Sequence, residues 1–488
     1  MHPHHRVGRV DADARHAVGH TGRRHRQSAD VRLGVPAVSH APMSIEMHLR
    51  SPQRGFTLVE LMIAMAIGLI ATIGIVSLFG GTSRTNQLQE GLARLQENGR
   101  YAAMRIEDDL RMASALYCST TSGNRLEGAV APMWSDLTPW VYAENLNLPD
   151  SGGMRSVDAL GVPSNSNATT SYGLSPRFFL QGYTCTTGTS CAPALRSPSM
   201  FPAAGLADGN RVPNSDIVTI RYLRGSGWPM TRTDVDCASG ISITLNPQTG
   251  DDPVNFPSAN GLAMLGICGS PAILPIASAS GNTLNVGTLL ANPDAREPRC
   301  SARPERDVRI FNFATDFVTV TYYLAFRAND DPDARDNSGA GALIPTLIRR
   351  ENGVEQELVR GVDQLTLRYG VRDSLGNMRF LTAEQVDNQM AGAIACPPKP
   401  QGVAPNPANV NAMEPGCLWR SVRRIEAHLL VNPGSEVGAL DDIGRSFRFM
   451  NTTVTNPAET ATLPSGLALM NFPRREFVAH ATHRNKTP

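Results

Sequence analysis

Between Phe56 and Gly81 the chain reads "FTLVELMIAMAIGLIATIGIVSLFGG", apolar almost without interruption. The only ionisable side chain between Arg54 and Arg84 is Glu60. A run of that length predicts a helix able to cross the hydrocarbon core of a bilayer. The pattern then changes period rather than stopping. Leu88, Leu92, Leu95, Ala102, Ile106, Leu110, Ala113 and Tyr117 recur at helical spacing, while Arg94, Glu97, Arg100, Arg105, Asp108 and Arg111 fall mostly elsewhere. No proline lies between Pro52 and Pro132, so nothing forces a break. Together the stretches predict one helix from Phe56 to about Leu116, roughly 90 Å long. Its first half is apolar all round; its second half has a single stripe to bury.

Downstream the period drops to two. "DIVTIRYL" (216–223), "ISITLN" (241–246), "FVTVTYYLAF" (317–326), "LIRRENGVEQEL" (347–358), "VDQLTLRYGV" (362–371), "VRRIEAHLLV" (422–431) and "RREFVAHATHR" (474–484) are alternating or β-branched segments and predict strands. In the fourth, Asn352 and Gly353 both tolerate positive φ and mark a type I′ hairpin. The connections 118–215, 247–308 and 385–420 are long and rich in Gly, Pro, Ser and Asn. The expected architecture is α+β: a long N-terminal helix packed on an antiparallel sheet that carries large loops.

Composition narrows the function. Gly and Pro number 43 and 35 among 488 residues, which favours turns and loops over a helical bundle. Net charge is +1 and the charged fraction 18%, so no overall basic field draws the chain to nucleic acid. Direct nucleic-acid binding is therefore not expected, and such a reading would have to rest on a local patch. All eight cysteines, Cys118, Cys185, Cys191, Cys237, Cys268, Cys300, Cys396 and Cys417, follow the apolar run, as expected if that part is exported to an oxidising compartment. Local pairing is expected to join Cys185 to Cys191 across "CTTGTSC" and Cys396 to Cys417 across a Pro-rich loop. Cys118, Cys237, Cys268 and Cys300 are further candidates, because eight cysteines allow roughly a hundred complete pairings. The plainer reading of all of them is isolated buried thiols.

Residues 1–42 hold seven of the eleven histidines and show no apolar periodicity. They are expected to be disordered or to precede the natural start, with Met43 or Met47 opening a short basic leader that ends at Gly55. Arg50 and Arg54 flank the apolar run on its N-terminal side, which by the positive-inside rule keeps the N-terminus cytoplasmic and sends the remainder outward. The expected domains are 43–55 leader, 56–81 membrane helix, 82–117 amphipathic helix and 118–488 an exported β-rich domain. A cleavable signal peptide would end in a small-residue site, whereas this run passes directly into the amphipathic helix.

A basic leader ending in glycine, then "FTLVE", then about twenty apolar residues that run into an amphipathic helix, resembles the N-terminal signature of type IV pilins and type II secretion pseudopilins. "LIRRENGVEQELVRGVDQLTLRYGV", the later "VRRIEAHLLV" and the terminal "RREFVAHATHRN" resemble the C-terminal half of the PilW type of minor pilin. The resemblance implies a pilin fold and a structural role. A membrane-embedded prepilin peptidase would cut between Gly55 and Phe56 and methylate the new amine of Phe56. Glu60 would then meet the N-terminal amine of a neighbouring subunit during assembly. Implied partners are other minor and major pilins, the prepilin peptidase, the inner membrane and the assembly machinery; no cofactor is implied. The chain would sit in the inner membrane as a single pass with a periplasmic C-terminal domain, then in the pilus at the cell surface. There it would prime assembly, occupy the tip and affect adhesion, twitching motility or DNA uptake. A type II secretion pseudopilin of the J kind and a tip adhesin are alternatives. Where many major pilins carry a proline in the helix this chain has Ser77, with Gly74, Gly80 and Gly81 nearby.

Physical chemistry agrees with a partner for Glu60, since a carboxylate within a bilayer helix costs roughly 2.5–3.5 kcal/mol on insertion scales. The plainer reading lets Glu60 reach water at the interface. Enzymatic motifs are missing: no H-E-x-x-H, G-x-S-x-G or phosphate-cradling glycine loop occurs. A membrane-tethered enzyme is therefore the weakest alternative. Of the three histidines beyond the apolar run, His428, His480 and His483, the last two are expected at the surface. Asp330, Asp331, Asp333 and Asp336 in "NDDPDARDNSG" could supply oxygens to calcium, but they lack EF-hand spacing and include Pro332, so a solvated loop is the better expectation. Ala64, Gly68 and Thr72 have the small-xxx-small spacing that permits close helix packing.

Overall fold

The computed structural model describes residues 55–116, 139–146, 166–195, 200–231, 238–266, 271–291, 308–328, 343–372, 376–394, 416–434 and, a few positions aside, 444–483, together with short strand fragments between them. The chain divides into two compact units, Met1–Ala71 and Thr72–Pro488. Helix α1 runs unbroken over Leu58–Met112. Its early side chains, from Phe56 to Phe79, are all exposed, as a helix built to meet lipid rather than a protein core must be. Further along, hydroxyls fold back on the helix: Ser77 Oγ donates to Gly74 O (2.9 Å), Thr82 to Leu78 O (2.9 Å) and Thr85 to Gly81 O (3.0 Å). The helix thus continues through Ser77 and the glycines around it, held locally by back-bonding that tends to bend helices rather than break them.

The main strands that follow are β1 (Leu180–Thr187), β2 (Ser190–Ala192), β3 (Ile217–Leu223), β4 (Trp228–Pro229), β5 (Ser242–Thr244), β6 (Ala259–Gly266), β7 (Ala272–Ser280), β8 (Thr283–Val286), β9 (Arg309–Asn312), β10 (Phe317–Ala328), β11 (Leu343–Glu351), β12 (Val354–Arg360), β13 (Val362–Arg372), β14 (Met378–Leu381), β15 (Val422–Val431), β16 (Phe447–Phe449), β17 (Thr452–Val454) and β18 (Arg475–Thr482). Two sheets carry the helix, one ordered β12-β11-β10-β3-β1-β2 and the other β14-β13-β15-β18. Asn352 (φ 48°) and Gly353 (φ 87°) turn β11 into β12 with Glu351 opposite Val354, the two-residue hairpin read from the sequence. Ser215 and Asp216 couple the sheets. Asp216 N–H donates to Leu365 O (2.9 Å), and its buried carboxylate accepts from Leu367 N (2.8 Å) and Cys185 N (3.1 Å).

Ala102, Ile106, Leu110 and Ala113 of α1 enter one core with Val320, Tyr322, Leu365, Ile425 and Ala479. The helix also buries Gly91, Gly99 and Asp109, which an apolar stripe does not reveal, while Leu92 stays partly exposed at 38%. Gly99 lies against the Phe477 ring, where a Cβ would come within 2.2 Å of Cε2. Asp109 anchors the helix by charge: it accepts from Arg349 Nε (2.6 Å) and Tyr322 Oη (2.5 Å), and Arg349 continues to Glu351 (2.6 Å) and from there to Arg224 (2.8 Å). Such a buried pair holds one register of helix on sheet, since removal of either partner strands the other charge. His483, expected at the surface, is buried with Nδ1 3.3 Å from Ala113 O. It meets the carbonyl end of the helix, where donors are wanted.

The connection 247–308 contains the three strands β6, β7 and β8. Strands β4-β9-β6-β7-β8-β5 are paired in that order. A bridge between Met230 and Leu245, with Thr231 N–H on Thr244 O and Asn246 N–H on Pro229 O (both 2.7 Å), joins the first to the last. The six strands therefore close on themselves and leave no open edge between β4 and β5. Ile243, Leu245, Ala263, Leu265, Leu274, Ile276, Leu284 and Ile310 fill this small barrel. Two short strands, Trp140–Val141 and Tyr172–Gly173, attach beside β7. These strands escaped the sequence reading because "ANGLAMLG" and "AILPIASAS" are Gly-, Ala- and Ser-rich and Pro275 stands within β7, all marks of a loop by propensity. Likewise 118–215 contains β1 and β2.

A candidate processing and assembly site at the start of the long helix

Gly55 and Phe56 lie in irregular backbone just before α1, and the Phe56 side chain is 90% exposed. Among the described residues nothing lies within 4 Å of where a Gly55 Cβ would sit, which leaves the Gly55–Phe56 peptide open to approach from them. Thr57 begins the helix. Its carbonyl accepts from Leu61 N (3.2 Å) and its hydroxyl accepts from Glu60 N (3.3 Å). In return Glu60 Oε2 accepts from both Thr57 N (3.1 Å) and Thr57 Oγ1 (3.2 Å). This reciprocal pattern is a capping box, in which two otherwise orphaned helix-terminal donors are satisfied by side chains.

The box explains how a carboxylate is held at the head of an apolar helix. Glu60 is drawn back toward the N-terminus, beside the amide of Thr57 and one residue from Phe56, where the helix dipole favours negative charge. Thr57 was not singled out in the sequence, although T-x-x-E ahead of an apolar run is the signature of this cap. The structure therefore brings Gly55, Phe56, Thr57 and Glu60 into one short segment. From Leu58 on, the same helix is long and apolar enough to cross a membrane, judged by length and composition.

Elsewhere, Cys185 and Cys191 are joined by a disulfide across the β1–β2 turn, with Cα atoms 4.1 Å apart. Cys118, Cys237, Cys268, Cys300 and Cys396 lie outside the described residues, as does the side chain of Cys417. Asp330, Asp331, Asp333 and Asp336 lie outside them too. His428 sits between two carboxylates, with Nδ1 2.7 Å from Glu476 and Nε2 3.8 Å from Glu426. Phe449 caps its ring edge-on, a packed position on a strand.

Comparison with known families places both ends of the chain. Residues 50–76 match the prokaryotic N-terminal methylation motif, and 333–485 match the type IV pilus-assembly protein W family. No curated protein and no solved structure matches the chain. The first match covers the capped helix start; the second covers β11 to β18 and leaves the barrel outside. Taken together, the match to a prokaryotic N-terminal methylation motif and the match to the type IV pilus-assembly protein W family support a minor pilin related to the type IV pilus.

Proposed function

We propose that the chain is made as a membrane-inserted precursor, cut between Gly55 and Phe56 by a prepilin peptidase, methylated on the Phe56 amine and drawn into a pilus through Glu60. There it helps initiate assembly and occupies the tip. The observation that carries this reading is the capped start of α1: an accessible Gly55–Phe56 bond followed within one turn by a fixed carboxylate on an otherwise apolar, exposed helix. A carboxylate in lipid persists when a partner awaits it, and a free amine at similar depth is such a partner. Arg50 and Arg54 favour a cytoplasmic N-terminus and outward export of the rest.

N-terminal sequencing of membrane-extracted protein, with and without the host's prepilin peptidase, tests the proposal. The expected result is a chain beginning at N-methylated Phe56 only when the peptidase is present; the same upstream terminus in both strains would overturn it. A deletion strain separates roles, since loss of pili supports the pilus reading, whereas loss of protein secretion with pili intact would refute it.

A further inference from the structure

Arginine crowds one end of the four-stranded sheet. Register sets Phe380, Gly370, Arg424 and Thr482 in one row across β14, β13, β15 and β18, with Met378 opposite Arg372 two residues further along β13. Gly370 has no side chain to fill the row. A Cβ there would lie 3.1 Å from Met378 Sδ and from Arg424 Cβ, and 3.2 Å from Phe380 Cε1, so these three side chains converge over the glycine. Met378 is 46% and Phe380 41% exposed. On the other side, Arg368 stands opposite Glu426, whose carboxylate faces His480 (3.5 Å) and His428 (3.8 Å) rather than an arginine. Among the described residues, neither Arg372 nor Arg424 is held in an ion pair. Arg423 adjoins them at a bulge, held below the ordinary arginine range by burial and then by the positive charge of Arg372. Arg379 is exposed on the edge strand.

We propose that this end of the sheet binds single-stranded nucleic acid, with Arg372 and Arg424 on phosphates and a base stacked on Phe380. Arg372 and Arg424 beside the exposed Phe380 ring on the sheet face supply the elements that single-strand binders combine: a positive track for the backbone and an aromatic platform for bases. Duplex bases have no free face to offer the ring. Phe380 and Met378 lie over Gly370 and are only half exposed, which suits stacking better than insertion into lipid. The balanced net charge of the whole chain does not oppose this, because the positive charge is local. The proposal does not depend on the assembly role of Glu60.

Fluorescence anisotropy of a labelled oligothymidylate with the full chain in detergent tests it. Saturable binding is expected at about 50 mM salt, weakening steeply as salt rises. The Arg372→Glu/Arg424→Glu pair should lose at least about tenfold, and Phe380→Ala roughly five- to a hundredfold, the range for loss of a stacked base. Arg94→Glu on α1 should bind like the wild type. All these side chains are exposed or partly so, and thermal melts verify that the variants fold; Arg372→Gln/Arg424→Gln should shift binding in the same direction with a gentler change. No binding at low salt, or unchanged affinity in the paired arginine variants, would overturn the proposal. So would equal affinity for duplex DNA, polyglutamate or anionic vesicles together with an unaffected Phe380→Ala, which would leave only polyanion attraction.

Discussion

Glu60 makes two kinds of contact available, and substitution can separate them. As the N3 residue of a capping box it satisfies Thr57 N–H; as a carboxylate it offers charge to an amine. Glutamine retains the first and loses the second. If charge is what assembly requires, Glu60→Ala and Glu60→Gln are both cleaved after Gly55, yet both are missing from sheared pili. Normal incorporation of the Gln variant beside failure of the Ala variant would instead make the cap the essential feature. Asp216 gives a second residue-level expectation. Burial raises its pKa to about 6, against the lowering effect of the Leu367 and Cys185 amides. The folded state therefore holds a proton that the unfolded chain has already released between about pH 4 and pH 6. Stability from this group is full below the ordinary aspartate value and lost as pH rises through about 6. Relative to Asp216→Asn, which does not titrate, the wild type should lose on the order of 2–3 kcal/mol between pH 4 and pH 7.5. Denaturant melts of both proteins at the two pH values measure this, and a pH-independent difference would count against it.

At the scale of elements, α1 shows what a sequence discloses and what it withholds. The apolar stripe announced Leu95, Ala102, Ile106, Leu110 and Ala113, because burial of periodic side chains is a one-dimensional signal. Gly99 was invisible, since its role is to be absent beneath Phe477, some 380 residues away by sequence number, and no local pattern records such a meeting. Gly99→Ala gains about 1 kcal/mol of helix propensity. It also drives a methyl into the ring, however, and overpacking of this kind costs roughly 1–3 kcal/mol. The expected net is a lower melting temperature. Gly81→Ala, on the same helix with nothing near its Cβ, should not lower it. The strands divide the same way. β3, β10, β13, β15 and β18 are legible because alternation or β-branching marks a half-buried sheet, whereas β6 and β7 hide behind small residues and a proline, and only closure into a barrel makes them strands. At the site, Gly55, Phe56 and Glu60 were legible as a motif; Thr57 was legible only to capping chemistry.

Over the whole molecule, the barrel is an insertion in a hairpin. β3 ends at Leu223 and β10 begins at Phe317, and these two residues are register partners. Arg224 N–H then donates to Asp316 O (2.7 Å), so the chain leaves for the barrel and returns at one point. Residues 225–315 could thus be exchanged for a short turn without moving a strand of the six-stranded sheet. The barrel's interior belongs to it, but a second cluster does not: Phe178, Phe179 and Phe317 pack with Met264, Ile273, Phe311 and Phe313 across the junction. Excision would leave the first three rings exposed. The shortened protein is therefore expected to retain the Cys185–Cys191 bond and cooperative unfolding of the remaining sheets, while binding apolar dyes more strongly and aggregating more readily. Hydrophilic replacement of Phe179, which stacks edge-on to Phe178 and Phe317, should reverse most of that. Loss of cooperative unfolding on excision would show instead that the barrel is required for the sheets that carry α1. Because the family match begins at residue 333, a chain that still folds and still reaches the pilus without residues 225–315 would assign assembly to the helix and the matched sheet, and free the barrel for another task.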